Sequence, residues 1–290
     1  MRHVALKCLI CFGAALLLSQ NLIAAEGQKP TVVSLDYCSD QYVLALADRD
    51  QILALSNEAR DVHSFYREQA EGLPQFRSTL EEILALKPDV VARYWAGSGF
   101  RDYLASNGYY IASAGFGYSR EALLNNIRLF GRALGQEMRA AEKVAELNRR
   151  FDRLENLPRR SELVLYLTPS GFTAGKGTYV NELLNLAGFR TMADEFGYSG
   201  WQQTPLELLT SRKPDLIIGS FFDMQSNHNS SWSISRHGMV RRMLSDIPTI
   251  YVPGRYLSCN GIFLPEAADY ILEELQKLET GTKDAAEASE

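Results

Sequence analysis

Two cysteines are the first residues whose chemistry the sequence brings into question. Cys38 follows the apolar run 31–35 near one end of the chain, and Cys259 follows the apolar run 249–252 near the other. If both side chains face one cleft, the pair could be two free thiols, a soft metal site or a disulfide. The sequence leaves these three states open, and counting free thiols with and without reductant would test the disulfide.

The histidines, glycines and serines of the chain lie at spacings that match no familiar catalytic or cofactor motif. His228 and His237 are nine residues apart, a spacing that fits no zinc site. Residues 171–178 lack the glycine spacing of a phosphate-binding loop, and neither a GxSxG elbow nor an HExxH motif occurs. We therefore expect a protein that is not an enzyme and has no cofactor or resident metal. A secreted metal-dependent enzyme that uses Cys38, His228 and His237 is the alternative.

Aromatic and arginine side chains recur directly after the predicted strands. Turns at the carboxyl ends of parallel strands are where ligands bind in such folds. Tyrosine and tryptophan suit a large, partly apolar chelate, and a guanidinium group recognises carboxylates or an anionic complex, although aromatic residues are also common in cores. The predicted ligand-binding residues are Tyr37, Cys38, Arg93, Tyr94, Trp95, Phe116, Tyr118, Phe172, Trp201, Phe222, Asp223, Trp232, Arg255 and Tyr256.

A short repeat indicates the elements that position these residues. Leu80–Val91 and Leu206–Ile217 share a Leu-Glu start, a Lys-Pro-Asp turn and an apolar finish. Each copy predicts a helix that ends before the proline, because the residue before proline is disfavoured in the α conformation. A strand without polar alternation follows, as expected for a parallel strand that is covered on both faces. The repeat favours two related lobes over one large α/β domain.

Further runs complete the predicted architecture. Strand-like runs at 31–35, 110–112, 162–167 and 249–252 alternate with helical patterns at 41–46 and 179–187. Alternating strands and helices predict parallel sheets built from βαβ units. The predicted fold is α/β, with two Rossmann-like lobes that have parallel central sheets and are joined by a single long α-helix.

The link between the lobes is predicted from a long proline-free stretch. Residues 119–157 have apolar side chains at helical spacing, and a break near Gly135 would leave a second helix that crosses to the other lobe. The predicted divisions are a signal peptide at 1–25, an N-terminal α/β lobe at 26–135, an inter-lobe backbone helix at 136–158, a C-terminal α/β lobe at 159–278 and a flexible tail at 279–290.

The first residues are typical of a secretory signal peptide. Arg2 and Lys7 precede an apolar run that is too short to span a bilayer, and Ala24 and Ala25 offer a cleavage site before Glu26. Removing the two cations makes the net charge of −5 more negative, and an acidic chain is a poor candidate for binding nucleic acid. We expect a soluble monomer that is exported to the periplasm and binds no nucleic acid.

These features together resemble a known family, the periplasmic substrate-binding proteins of ABC importers for metal chelates, which have a helical backbone and are called class III. The resemblance depends on residues 33–40 (Val-Ser-Leu-Asp-Tyr-Cys-Ser-Asp), on the two Leu-Glu…Lys-Pro-Asp segments and on residues 178–189. It implies a receptor that captures a siderophore, corrinoid or haem-like chelate between its lobes and delivers it to an ABC permease dimer in the inner membrane. A ligand-sensing receptor without transport has the same sequence features.

Glu81 and Glu207 occupy the same position in the two repeat copies, seven residues before Pro88 and Pro214. In the resembling family one such glutamate in each lobe docks onto arginines of the permease, so the resemblance implies that these two residues are the docking contacts. A symmetric pair of carboxylates also suits a permease made of two copies of one subunit. A glutamate in a first helical turn is favoured by the helix dipole as well.

Overall fold

The computed structural model describes residues 29–204, 209, 212–220 and 238–287. The predicted signal peptide at 1–25 lies outside the described residues. Within them, helices accompany two separate parallel sheets, which confirms the predicted α/β fold class. No helix in the described ranges has both the length and the apolar character needed to cross a membrane.

The first lobe is built on five parallel strands in the order β3-β2-β1-β4-β5. Its elements are β1 (Val32–Ser34), α1 (Tyr37–Leu46), β2 (Ile52–Ser56), β3 (Gln75–Phe76), α2 (Leu80–Leu86), β4 (Val90–Arg93), α3 (Arg101–Ser106) and β5 (Tyr110–Ser113). Strands β1 and β4 lie side by side with Val33 opposite Val91, and both side chains are fully buried. Burial on both faces explains why these runs lack polar alternation.

Two helices follow the first sheet, α4 (Arg120–Ala133) and α5 (Glu137–Glu155). The predicted break between them is confirmed at Gly135, whose φ of +62° is a left-handed conformation that favours glycine. Gly131 allows the two helices to approach closely, because a side chain there would overlap Ala140. The long stretch therefore folds as a helical hairpin.

The second lobe has four parallel strands in the order β11-β10-β6-β8 and a separate antiparallel pair, β7 with β9. Its elements are β6 (Leu163–Leu167), β7 (Phe172–Ala174), α6 (Tyr179–Leu186), β8 (Arg190–Thr191), α7 (Met192–Glu195), β9 (Trp201–Gln203), β10 (Leu216–Gly219), α8 (Gly238–Asp246), β11 (Thr249–Tyr251) and α9 (Leu264–Glu287).

The repeated Lys-Pro-Asp turn performs the same task in both lobes. Asp89 accepts a hydrogen bond at 2.8 Å from the backbone N–H of Thr31, directly before β1. Asp215 accepts one at 2.8 Å from the backbone N–H of Leu163, the first residue of β6. In each lobe the turn aspartate thus attaches the start of its own strand to the start of the neighbouring strand, which accounts for the turn's occurrence in both copies.

Helix α5 lies between the lobes, since it packs on α4 of the first lobe and on α6 and α9 of the second. Val144, Leu147 and Phe151 of this helix are buried in an apolar cluster that includes residues of both sheets. A helix buried against both lobes favours a small change in their relative position over a wide opening. The lobe boundaries 26–135, 136–158 and 159–278 stay predictions.

Helix α9 continues beyond residue 278, the predicted end of the C-terminal lobe. It ends at Glu287, so most of the segment 279–290 is helical. The flexibility of this tail stays a prediction.

Candidate ligand-binding cleft

An open cavity of about 230 Å³ lies between the two lobes. The loops after β1, β4 and β5 line its first-lobe side, and α6, β9 and the segment after β11 line the other side. Most of these segments follow the carboxyl ends of parallel strands, where α/β proteins bind their ligands. The lining residues are Cys38, Tyr94, Trp95, Phe116, Tyr118, Tyr179, Val180, Trp201, Leu257, Ser258, Cys259 and Asn260.

Aromatic rings dominate the first-lobe side of the cleft. The buried ring of Tyr94 meets Phe116 edge-on, with the ring centroids 5.3 Å apart. Trp95 is half exposed and meets Tyr37 edge-on at 6.4 Å. Phe116 is the most exposed of these aromatic residues, with 77% of its surface accessible to solvent. Together these rings present a broad apolar surface with polar edges.

A short antiparallel strand pair carries the tryptophan on the second-lobe side. Trp201 lies in β9 opposite Ala174 of β7, and its indole is 6.0 Å from the ring of Tyr166. All three residues of β9 are exposed, and so is Phe172 at the start of β7. The strand pair therefore presents its tryptophan from an open surface.

Helix α6 places a second aromatic residue on this side. Thr178 caps the helix, because its hydroxyl accepts a hydrogen bond from the backbone N–H of Asn181 at 3.2 Å. Tyr179 is the first helical residue, and its hydroxyl donates to the backbone carbonyl of Tyr256 at 3.0 Å. This bond fixes the Tyr179 ring beside the cleft.

A disulfide joins the two sides of the cleft. Cys38 in the first turn of α1 is bonded to Cys259, with the Cα atoms 5.7 Å apart. Of the three states that the sequence leaves open, the structure contains the bonded one. We call residues 257–260, which lie after β11, the crossing segment, because they follow the second sheet in the chain but are attached to the first lobe.

Hydrogen bonds on both sides of the disulfide support the same attachment. The hydroxyl of Ser258 donates to the carbonyl of His63 at 2.8 Å, and the hydroxyl of Tyr37 donates to the carbonyl of Ser258 at 3.3 Å. The amide group of Asn260 donates to the carbonyl of Gly117. The crossing segment, which forms part of the cleft wall, is therefore held by the first lobe.

The described lining residues are all uncharged. Burial, with a smaller effect from Tyr118 and Asp36, raises the pKa of Tyr94 to about 12. Burial also raises the pKa of Tyr179 well above 10.0. Both hydroxyls therefore stay protonated at physiological pH and can donate hydrogen bonds. Among the described residues, no group of three His, Cys, Asp or Glu side chains could hold a metal ion.

The two arginines predicted to contact the ligand are engaged elsewhere. Arg93 is buried, and its guanidinium donates to the carbonyls of Trp95 at 2.9 Å and Ala96 at 2.6 Å. The guanidinium of Arg255 lies over the ring of Tyr256 at 4.9 Å. Neither arginine is among the residues that line the cavity.

The predicted ligand-binding residues, the two arginines included, fall into three groups. Those that line the cleft are Cys38, Tyr94, Trp95, Phe116, Tyr118 and Trp201. Those that are described but lie outside the lining are Tyr37, Arg93, Phe172, Arg255 and Tyr256. Those that lie outside the described residues are Phe222, Asp223 and Trp232, together with His228 and His237.

Sequence reasoning missed five lining residues. They are Tyr179, Val180, Leu257, Ser258 and Asn260. The capping residue Thr178 marks the start of a helix and could have indicated the first two. The other three adjoin Cys259, so the prediction of that cysteine at a cleft could have been extended to its neighbours.

Of the two glutamates predicted to dock onto the permease, Glu81 lies among the described residues and Glu207 does not. Glu81 is exposed in the first turn of α2. The neighbouring Glu82 accepts hydrogen bonds from the backbone N–H groups of Arg77 and Thr79, so its carboxylate completes the capping box of the helix. Glu207 lies outside the described residues. Of the two glutamates on α2, Glu82 is part of the capping box and Glu81 is not, so the Glu81 carboxylate is the one open to solvent.

The fold and the cleft define a class of protein, the two-lobe receptors that bind a solute between α/β lobes. Its family follows from the sequence comparison. The chain belongs to the periplasmic binding protein family, whose model matches residues 32–231.

Known proteins of this kind are similar over most of the chain. A cobalamin-binding protein of Halobacterium salinarum is 22% identical over 267 residues, which cover 90% of this chain and 71% of the relative. An uncharacterized ABC transporter substrate-binding lipoprotein of Bacillus subtilis, YvrC, is 22% identical over 69% of this chain and 66% of its own length. The solved structure of the periplasmic haem-binding protein HutB of Vibrio cholerae has a TM-score of 0.69, covers 85% of this chain and 98% of that chain, and is 18% identical. This structural likeness shows a shared fold.

Proposed function

We propose that the protein is the periplasmic solute-binding component of an ABC importer, which captures a metal chelate in the inter-lobe cleft and delivers it to a permease dimer in the inner membrane. The observation that carries the proposal is the aromatic cleft with rings from both lobes, above all Trp95 and Trp201. Two opposed indoles suit a large ring system better than a bare ion or a small polar solute. The protein acts as a monomer and performs no catalysis.

The chemistry of the lining narrows the ligand class. Arg93 and Arg255 do not reach the cavity, and the described lining is uncharged. An anionic siderophore placed there would lose hydration without gaining a cationic partner from the described residues, which is costly. A corrinoid is neutral over most of its surface and has amide groups around an apolar ring. We therefore favour a corrinoid over an anionic siderophore or haem.

The disulfide supports a location outside the cytoplasm, because such bonds persist in oxidising compartments. It also weakens the enzyme alternative, since the sulfur of Cys38 is bonded to Cys259 and is available neither as a nucleophile nor as a metal ligand. Export through a cleaved signal peptide at residues 1–25 is part of the proposal.

Docking to the permease is proposed to depend on Glu81 and Glu207. The exposure of Glu81, whose neighbour Glu82 is occupied in a capping box, supports this assignment for the first lobe. A rim carboxylate on each lobe would guide the encounter with a positively charged permease surface.

A binding panel tests the ligand class. Purified protein is titrated with cyanocobalamin, haemin and an anionic ferric tricatecholate, and binding is followed by tryptophan fluorescence and by native mass spectrometry. We expect cyanocobalamin to bind most tightly and with one molecule per chain. Preference for the tricatecholate would contradict the neutral-ligand argument, and failure of all three chelates would remove the proposed ligand class.

Uptake measurements test docking separately. The variant that combines Glu81→Arg and Glu207→Arg should abolish uptake of the bound chelate in cells while its dissociation constant stays unchanged. Glu121→Arg is the matched control, because Glu121 is also an exposed glutamate in a first helical turn, that of α4. Normal uptake by the double variant would refute the docking assignment without affecting the binding proposal.

A further inference from the structure

A buried carboxylate lies directly behind the aromatic loop of the first lobe. Asp36 is fully buried, and one of its oxygens accepts hydrogen bonds from three consecutive backbone N–H groups, those of Tyr94 at 2.9 Å, Trp95 at 3.1 Å and Ala96 at 3.1 Å. Three consecutive N–H groups that converge on one anion form an anion-binding nest. Here the anion is a side chain of the protein itself.

The other oxygen of the same carboxylate has a second task. It accepts the backbone N–H of Ser39 at 2.8 Å and so caps helix α1, which begins at Tyr37 and carries Cys38. Asp36 therefore connects the start of α1 to the loop 94–96 through a single charged group.

Arg93 holds the same loop from its carbonyl side. Its guanidinium donates to the carbonyls of Trp95 and Ala96 and, at 3.2 Å, to the hydroxyl of Ser113. The N–H groups of the loop thus donate to an anion, the Asp36 carboxylate, and its carbonyls accept from a cation, the Arg93 guanidinium. Both side chains are buried. Charged partners make stronger hydrogen bonds than neutral ones, so this pair restrains the loop more than water could.

Gly97 completes the arrangement. Its φ is +72°, and a side chain there would come within 2.6 Å of Leu35 and 2.9 Å of Phe100. The chain can turn at this point only with glycine, which leaves the loop little freedom to adopt another path.

We propose that Asp36 and Arg93 are positioning residues for ligand binding. They touch no ligand themselves, but they fix the loop 94–96 so that Trp95 and Tyr94 face the cleft before the ligand arrives. A binding surface that is already ordered pays less conformational entropy when the ligand binds. The inference gives Arg93 a role in place of ligand contact, and it depends on the proposed function only for its effect on affinity.

A measurement without ligand tests the positioning itself. A protein with Trp201→Phe and Trp232→Phe retains Trp95 as its single tryptophan. Adding Asp36→Asn should shift the Trp95 emission to longer wavelength and increase its quenching by acrylamide, because an amide cannot accept from both Ser39 and the three loop N–H groups. Asp89→Asn is the control, since Asp89 also accepts from backbone N–H but lies at the Lys-Pro-Asp turn. This control should leave the Trp95 signal unchanged.

A double-mutant cycle tests the effect on affinity with cyanocobalamin as the probe. In the otherwise unchanged protein, Asp36→Asn should raise the dissociation constant about tenfold or more, as loss of a charged hydrogen-bond acceptor typically does. In the Trp95→Ala background the same change should cost clearly less than in the unchanged protein, because one of the two side chains that Asp36 positions is absent and only Tyr94 remains. Asp89→Asn should leave the dissociation constant unchanged in both backgrounds.

The outcomes separate the two proposals. If wild-type protein binds no cyanocobalamin, the proposed ligand class fails, while the Trp95 emission still decides the positioning role. If Asp36→Asn folds and changes neither the emission nor the affinity, or changes affinity equally in both backgrounds, the inference is overturned. If Asp36→Asn does not fold, Arg93→Met tests the loop from its other side, since a thioether of similar length donates no hydrogen bond to either carbonyl. An unchanged Trp95 emission in Arg93→Met would then refute the inference.

Discussion

The two lobes differ in what lies behind their cleft surfaces. Among the described residues, the buried Asp, Glu, Lys and Arg side chains all belong to the first lobe; they are Asp36, Asp40 and Arg93. The second lobe has neutral groups at comparable places, such as Thr178, which caps α6 where Asp36 caps α1. Buried charges need well-defined partners, so they restrain their surroundings more strongly than neutral groups do.

This difference suggests that the cleft has one ordered side and one adaptable side. Tyr94 and Trp95 of the first lobe lie on a loop held by charged groups, and the crossing segment 257–260 is bonded to the same lobe. Trp201, in contrast, lies on β9, a short and exposed strand. A ligand would meet a prepared surface on the first lobe and would order the second-lobe surface as it binds.

The largest expected effect is a loss of stability on removal of the disulfide. Without this bond the crossing segment would no longer be held covalently by the first lobe and would join the adaptable side of the cleft. Replacing both Cys38 and Cys259 by alanine should lower the free energy of unfolding by roughly 2–5 kcal/mol, since the bond closes a loop with a sequence separation of 221. Urea unfolding of wild type with and without reductant should show the same loss, and the variant should not respond to reductant. Two free thiols in untreated wild-type protein that lacks residues 1–25, and with them Cys8 and Cys11, would contradict the prediction.

A second expected effect is a pH dependence that arises from Asp40 in the first lobe. Burial raises the pKa of Asp40 from 3.8 to about 7, against the opposing effect of its hydrogen bonds with Ser34 and Ser56. Between these two values the folded state holds a proton that the unfolded state has released, so stability falls as pH rises. The decrease should be roughly 2 kcal/mol between about pH 5 and about pH 7.

The variant Asp40→Asn should remove most of this dependence, because an amide can keep the hydrogen bonds to Ser56 without titrating. Chemical unfolding of both proteins across this pH range measures it. Parallel pH profiles for wild type and variant would show that Asp40 titrates normally and that burial costs it little.

A matched pair of glycines compares the two sides directly. Gly97 and Gly200 both have positive φ, but a side chain would meet Leu35 and Phe100 at Gly97 and no heavy atom within 4 Å at Gly200. Gly97→Ala should therefore be less stable than Gly200→Ala by about 1–3 kcal/mol, the usual cost of overpacking, since the strain of positive φ is common to both. Equal losses on thermal or urea unfolding would remove the distinction between a tight and an open loop.

Much of the fold could be predicted because its signals are local. The Lys-Pro-Asp turns marked equivalent strands, and the structure shows why, as Asp89 and Asp215 each bind the neighbouring strand. Gly135 marked the break between two helices. Aromatic residues after strands marked the first-lobe side of the cleft, because the ends of parallel strands share one edge of the sheet.

The rest depends on side-chain direction and on contacts between distant segments, which spacing does not encode. Arg93 follows Val91 on the same face of β4, so its guanidinium turns into the lobe and meets backbone carbonyls. Tyr256 belongs to a short 3₁₀ turn and packs against Phe263 and Tyr270. The sequence predicts Cys259 of the crossing segment at a cleft but leaves its bond to the first lobe open, because the path of this segment past the first lobe is a property of the assembled molecule.

The most direct test of the ordered and adaptable sides is the affinity for cyanocobalamin of Trp95→Ala compared with Trp201→Ala. The account predicts that Trp95→Ala raises the dissociation constant by about tenfold or more and Trp201→Ala by less, because only the first indole is in place before binding. Isothermal titration of both variants beside wild type gives the comparison. An equal or larger loss for Trp201→Ala would contradict it.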